Sequence, residues 1–68
     1  MAPTPRQIGM KLKTLRKAKK LSQYALAKEA GVSREHVRRL EAGESDPTVG
    51  MLQRLANVLG VPVTELLG

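Results

Sequence analysis

Residues 22–43 constrain the fold of this chain more than any other part of its sequence. Apolar residues recur at helical spacing on both sides of Gly31, with Leu26 before it and Leu40 after it. A glycine can adopt the left-handed conformation that ends a helix without the steric cost that other residues meet. The pattern therefore predicts two short helices that meet at a sharp corner.

Serines mark the start of both predicted helices. Ser22 and Ser33 precede the two apolar patterns, and a serine hydroxyl can accept a hydrogen bond from a free amide of the first turn. Two helices joined by a short turn that contains glycine form a helix-turn-helix motif. The second helix, predicted over residues 33–42, has a polar and mostly cationic outer surface made of Arg34, Glu35, His36, Arg38 and Arg39.

The composition excludes several classes of function. A chain of 68 residues is one domain near the lower limit for an independent core. Without cysteine it has neither a disulfide nor a cysteine-based zinc site, and a single histidine cannot build a catalytic metal site. We therefore expect no cofactor, no metal and no enzymatic activity.

Charge is distributed unevenly along the chain. The first twenty residues hold seven cations and no acid, namely Arg6, Lys11, Lys13, Arg16, Lys17, Lys19 and Lys20. Such an imbalance suits a polyanion, with nucleic acid as the first candidate and an anionic membrane surface as the second. The membrane is disfavoured because the first helix lacks bulky interfacial aromatics and its apolar stripe is needed for the core.

Nothing in the sequence indicates insertion into a membrane or export. No apolar run approaches the length of a membrane span, and the N-terminus lacks the apolar region of a signal peptide. We therefore expect a cytoplasmic location and no membrane partner.

The whole chain predicts an all-α fold of five short helices. Residues 1–5 form a flexible arm, and residues 6–68 form the single domain, whose first helix begins near Arg6. Thr4 is a candidate cap for that helix, with Pro5 as its first residue. The fourth helix is capped either by Thr48 or by Asp46, and the last helix covers residues 63–67.

The predicted core is aliphatic because the chain has no Trp or Phe and one Tyr. Gly9 interrupts the first helix, where a glycine costs about 1 kcal/mol relative to alanine, so we expect fraying there. The core residues are Ile8, Leu12, Leu15, Leu21, Leu26, Ala27, Ala30, Val32, Val37, Leu40, Val49, Leu52, Leu55, Ala56, Leu59, Val61 and Leu66.

Several short motifs together resemble the phage-repressor-like helix-turn-helix family, also called the XRE or Cro/cI family. They are Leu21-Ser22-Gln23, Leu26-Ala27, Ala30-Gly31-Val32-Ser33, Leu40-Glu41 with Gly43, and Leu59-Gly60-Val61. The resemblance extends from about Ile8 to Leu67. It implies a compact five-helix bundle of the lambda-repressor-like type that binds double-stranded DNA.

The resemblance also implies roles for individual residues. Arg34, Glu35 and Arg39 match the positions that read bases, and Gln23 and Arg38 match positions that contact phosphates. We add Tyr24, His36 and Lys17 as phosphate contacts. Glu35 could instead hold Arg39 or Arg34 in place, and Tyr24 and His36 could be ordinary surface residues.

Two further features follow from the family pattern. Arg16 and Glu41 match a pair that forms an internal salt bridge, although Arg16 alone could be another DNA-facing cation. The loop with Ala42, Glu44 and Asp46 is more acidic than the family pattern. Either this loop is held away from DNA or the cationic first helix and arm compensate.

The sequence predicts a transcriptional regulator, with repression of a palindromic operator by a homodimer as the leading interpretation. The dimer interface would use apolar residues of the last two helices that lie outside the core stripe, namely Met51, Val58, Val63 and Leu67. The alternative is an antitoxin-like or accessory module whose main partner is another protein and whose DNA binding is secondary.

Overall fold

The computed structural model describes residues 2–68, and this part of the chain contains five α-helices and no strand. The all-α prediction is confirmed. The helices are α1 (Pro5–Ala18), α2 (Gln23–Ala30), α3 (Arg34–Glu41), α4 (Val49–Leu59) and α5 (Thr64–Leu67).

A capping box starts α1. The Thr4 hydroxyl accepts a hydrogen bond from the Gln7 amide at 3.2 Å, and the Gln7 side-chain oxygen accepts one from the Thr4 amide at 2.9 Å. Pro5 is the first helical residue, where its missing N–H is harmless. The helix therefore begins before Arg6, and Thr4 and Pro5 belong to it rather than to the arm predicted for residues 1–5.

Side-chain caps also start the next three helices. The hydroxyls of Ser22, Ser33 and Thr48 each accept a hydrogen bond from the amide three residues later, at 2.9, 3.0 and 3.1 Å. Thr48, rather than Asp46, is thus the cap of α4. Gly31 ends α2 in the left-handed conformation that the sequence predicts, with φ of 73°.

The core forms where all five helices meet, and it is aliphatic as predicted. Leu15, Leu21, Val32 and Val61 are only partly buried but pack against it. The buried apolar residues are Ile8, Leu12, Leu26, Ala27, Ala30, Val37, Leu40, Leu52, Leu55, Ala56, Leu59 and Leu66.

The prediction that Val49 belongs to the core is wrong. Its side chain is 78% exposed, although its spacing to Leu52 matches the apolar stripe of α4. Residues 48–50 are all exposed, so the first turn of α4 lies outside the region where the helices meet. Helical periodicity specifies a face of α4 but not how far along the helix its neighbours extend.

Gly9 allows α1 and α3 to pack closely, which sequence analysis did not predict. The residue is buried, and a Cβ atom built on it would overlap the carbonyl oxygen of Leu40 and lie 2.9 Å from that of Glu41. The backbones of the two helices thus approach each other at a point where no side chain fits. This position is a packing contact and not the frayed turn that we expected.

The arrangement of the helices leaves one side of α3 open. α3 packs against α1 and α2, α4 packs against α2, and α5 closes the bundle against α1 and α4. No helix within residues 2–68 has the length and apolar character needed to cross a membrane.

We predict that Gly9→Ala lowers the free energy of unfolding, although alanine normally favours helices. The added methyl group must push α1 away from α3, and such overpacking costs about 1 to 3 kcal/mol. The matched control is Gly50→Ala on the exposed first turn of α4, where the nearest atom to a new Cβ is 4.0 Å away.

Thermal unfolding followed by circular dichroism should show a lower midpoint for Gly9→Ala. The same measurement should show an equal or higher midpoint for Gly50→Ala, because alanine is favoured by up to about 1 kcal/mol in an open helical position. A Gly9→Ala protein as stable as the wild type would contradict the close approach of the two helices.

Candidate nucleic-acid interface

The outward side of α3 presents arginines opposite a buried apolar stripe. Val37 and Leu40 are 0% and 2% exposed and anchor the helix to the core. Arg34 and Arg39 lie on the exposed side, and neither has an ion-pair or side-chain hydrogen-bond partner within residues 2–68. Their guanidinium groups are therefore available to an external acceptor.

Arg38 lies on the same helix but is not free in this way. Its Nε and Nη2 atoms donate to the two carboxylate oxygens of Glu35 at 2.9 and 2.7 Å. Nη2 also donates to Glu44 at 3.4 Å, from the loop after α3. The alternative prediction from sequence, in which Glu35 holds Arg39 or Arg34, names the wrong arginine. Glu35 holds Arg38 instead, because residues at i and i+3 are neighbours on a helix.

This ion pair changes the titration of both groups. The hydrogen bonds from Arg38 lower the pKa of the Glu35 carboxyl, and the charges of Arg39 and Arg34 lower it further. The same carboxylate raises the pKa of the Arg38 guanidinium above its ordinary range. Both groups are therefore charged at neutral pH, and Glu35 stays ionised further into the acidic range than an isolated glutamate.

Arg16 and Glu41 form a largely buried ion pair between α1 and α3. Arg16 Nε donates to one Glu41 oxygen at 2.6 Å and Nη2 donates to the other at 3.0 Å. The third nitrogen, Nη1, donates to the carbonyl oxygen of Leu21 at 2.7 Å. The two side chains are 9% and 3% exposed, so Arg16 is an internal group in this structure and not a DNA-facing cation.

Gln23 extends this network to the start of α2. Its Nε2 donates to the Glu41 oxygen that also accepts from Arg16, at 3.1 Å. The amide nitrogen carries a second hydrogen, so a further acceptor can be bound. Sequence analysis missed the contact with Glu41 because 18 residues separate the two partners.

The other predicted phosphate contacts lie around the same surface. Tyr24 follows Gln23 in the first turn of α2 and is 62% exposed. His36 is half-buried and lines a shallow hollow of about 200 Å³ with Ser33, Glu35, Arg39 and Ser45. Lys17 is exposed beside Arg16, near the junction of α1 and α2.

The acidic loop after α3 contacts this surface directly. The Glu44 amide donates to the carbonyl oxygen of Arg39 at 2.9 Å, which holds the loop against the end of the helix. Its carboxylate faces Arg38, while Asp46 is exposed. The charge of Glu44 is thus partly offset by a neighbouring arginine, an outcome that neither sequence alternative included.

The cations of the first twenty residues are exposed apart from one. Arg16 is paired, whereas the other six cations of residues 1–20 are exposed on or beside α1. The chain carries twelve cations and six acids, and residues 1–20 hold seven of these cations and none of the acids. The excess of positive charge is therefore concentrated in this segment. Such a field attracts a polyanion before any contact forms.

Three of the four residues predicted for a dimer interface are less exposed than expected. Met51, Val58 and Val63 are half-buried and pack against the core. Leu67 is 39% exposed. No cluster of His, Asp or Glu within residues 2–68 has the arrangement of a metal site.

The ion pair of Arg16 and Glu41 generates a prediction about stability. Glu41→Ala leaves the Arg16 guanidinium buried without its carboxylate, which costs about 3 to 5 kcal/mol in comparable pairs. Urea unfolding should show this loss. The matched control is Glu35→Ala, which removes an exposed glutamate from the same helix and should leave the unfolding midpoint nearly unchanged. Equal effects at the two positions would contradict a structural role for the buried pair.

Comparisons with known proteins agree with the helix-turn-helix arrangement of α2 and α3. A family model described as Helix-turn-helix matches residues 12–66. The immunity repressor protein of Bacillus phage phi105 is 33% identical over 61 residues, which cover 90% of this chain and 42% of the repressor. This chain thus spans less than half the length of that relative.

Solved structures show the same fold. The restriction-modification controller protein C.AhdI from Aeromonas hydrophila is 34% identical and superimposes with a TM-score of 0.89, over 91% of this chain and 94% of that one. The biofilm master regulator SinR, solved in complex with DNA, is 33% identical with a TM-score of 0.84, over 87% of this chain and 95% of that one.

Proposed function

This chain belongs to the helix-turn-helix family of the XRE (Cro/cI) type, and from that membership we propose that it is a sequence-specific, double-stranded-DNA-binding transcriptional regulator. The observation that carries the proposal is the outer side of α3, where Arg34 and Arg39 are exposed opposite the buried Val37 and have no ion-pair partner within residues 2–68. A similar chain, SinR, was solved bound to DNA, and another is a phage repressor. Both support this reading of α3.

In the proposed complex, α3 enters the major groove. The guanidinium groups of Arg34 and Arg39 can each form a bidentate contact. The commonest base-specific contact is a bidentate one between arginine and the O6 and N7 atoms of guanine. Glu35 lies between them in sequence, and both of its carboxylate oxygens accept from Arg38. Arg34 and Arg39 thus form the proposed base-reading set, and base reading by Glu35 stays a prediction from the family resemblance.

The backbone of DNA would be held by the start of α2 and by the cations of α1. The first-turn amides of a helix attract anions, and Gln23 offers its second amide hydrogen beside them. Tyr24, His36 and Lys17 are further phosphate contacts in this proposal, whereas Arg38, which the sequence also predicts to contact phosphate, is paired with Glu35 and Glu44. Because phosphate neutralisation releases counterions, affinity should fall steeply as salt rises.

The proposed regulator acts as a homodimer. Two copies of α3 would then lie about 34 Å apart and read half-sites about 10 base pairs apart on a palindromic operator. The C-terminal surface of Met51, Val58, Val63 and Leu67 would join the copies through the parts of these side chains that the core leaves uncovered. Occupation of the operator would repress transcription by excluding polymerase.

We predict that Arg39→Ala weakens the preference for a selected operator and retains binding to unrelated duplexes. Loss of one bidentate contact with guanine should cost about 1 to 3 kcal/mol on the operator alone. The operator is first obtained by selection from random DNA, and affinities are then measured by fluorescence anisotropy. The control Arg54→Ala removes an exposed arginine from α4 with the same change of net charge. An equal loss on all sequences would contradict base reading by Arg39.

A separate prediction concerns the dimer. Leu67→Glu places a charge on the proposed interface and should shift the protein from dimer to monomer in analytical ultracentrifugation. Tyr24→Glu is the control, because it charges an exposed aromatic residue on α2, a helix that holds none of the four proposed interface residues. A wild-type monomer that assembles only with a second protein would instead favour an interaction module.

A further inference from the structure

Two carboxylates hold one arginine on the surface that is proposed to face DNA. Arg38 lies between Glu35, one turn earlier on α3, and Glu44 in the following loop. The contact with Glu35 is bidentate, with distances of 2.9 and 2.7 Å, and the contact with Glu44 is longer at 3.4 Å. All three side chains are about half exposed, so the cluster is built on the surface and not in the core.

The hydrogen bonds leave Arg38 with few free donors. A guanidinium group has five N–H donors, and the Nε hydrogen and both Nη2 hydrogens point to carboxylates here. The three side chains together carry a net charge of −1, whereas Arg38 alone would carry +1. The neighbours Arg34 and Arg39 have no such partners within residues 2–68.

Three arginines of one short helix are therefore in two different states. Among the described residues, two of these arginines have no acidic partner, and the third is neutralised by acids that come from its own helix and from the adjoining loop. A phosphate that approaches Arg38 must displace carboxylates which already occupy the guanidinium edge that suits it best. It also meets the remaining negative charge of the cluster.

We propose that Glu35 and Glu44 form an acidic clamp that withholds Arg38 from DNA phosphates and so limits the sequence-independent part of DNA binding. The proposal rests on the proposed function of α3 as a DNA-binding helix. Binding to unrelated DNA depends almost entirely on phosphate contacts, so one withheld arginine weakens it and reduces its dependence on salt. Glu35 then acts as a positioning residue for Arg38. Through Glu44, the acidic loop also holds Arg38 away from phosphates.

A four-protein comparison tests the clamp. The proteins are the wild type, the double variant Glu35→Gln with Glu44→Gln, the single variant Arg38→Gln, and the triple variant that combines all three changes. Each is titrated with a duplex of unrelated sequence at several salt concentrations. Circular dichroism checks that every variant is folded, which is expected because the altered side chains are exposed.

Release of Arg38 should add about one phosphate contact. The double variant should bind unrelated duplex more tightly than the wild type, and its log–log salt slope should steepen by about 0.9. The loss of affinity between about 50 and 200 mM salt should therefore become about three- to fourfold larger. In the absence of Arg38, the same two changes should leave the salt slope unaltered. The triple variant should therefore have the same salt slope as Arg38→Gln.

A charge-matched control separates the clamp from general repulsion. Glu29→Gln with Glu65→Gln also removes two exposed acids, and neither of these acids has an ion-pair partner within residues 2–68. This control should not steepen the slope by a full contact. Equal steepening in the control, or in the absence of Arg38, would overturn the clamp and leave DNA binding by α3 intact. If the wild type binds no duplex at any salt concentration, the proposed function itself fails.

Discussion

The buried ion pair between Arg16 and Glu41 is the interaction on which the geometry of the surface proposed to face DNA depends. It joins α1 to the end of α3, and through the third nitrogen of Arg16 it also holds the segment that leads into α2. Charged groups with so little exposure are tolerated only when they are paired and hydrogen bonded. Within residues 2–68, no buried side-chain nitrogen or oxygen lacks a partner, so this condition is met.

The same ion pair reaches the proposed phosphate contact at the start of α2. Glu41 accepts a hydrogen bond from Gln23, so its carboxylate contacts both the core arginine and a residue that would touch DNA. A side chain held in this way loses less conformational freedom on binding than a free one. The helix-turn-helix corner is therefore oriented by polar contacts as well as by the apolar packing of Val37 and Leu40.

Arginine has three distinct roles in this small domain, and its surroundings decide which one applies. Arg16 is buried and structural, whereas Arg34 and Arg39 are exposed and have no ion-pair partner in the described part of the chain, residues 2–68. Arg38 is exposed but paired with two acids. Composition counts all four as equal contributions to a net charge of +6, yet only some of them add to the field that DNA would meet.

The sequence alone determined the local structure and the family, because helix caps, glycine turns and apolar periodicity act over three or four residues. Ser22, Ser33 and Gly31 specify the corner without any distant contact. The family resemblance also supplied the candidate pair of Arg16 and Glu41, which local pattern alone does not reveal. The DNA-reading roles of Arg34 and Arg39 come from the same resemblance and remain predictions.

Only the tertiary structure decided how distant segments meet. Gly9, where the sequence predicts fraying, is the contact at which α1 approaches α3, and Val49 is exposed outside the core. The tertiary structure also brought Glu44 of the following loop to Arg38, beside which the i,i+3 spacing on α3 already places Glu35. Each of these outcomes depends on the distance between side chains or backbones on separate elements. Sequence spacing does not encode such distances.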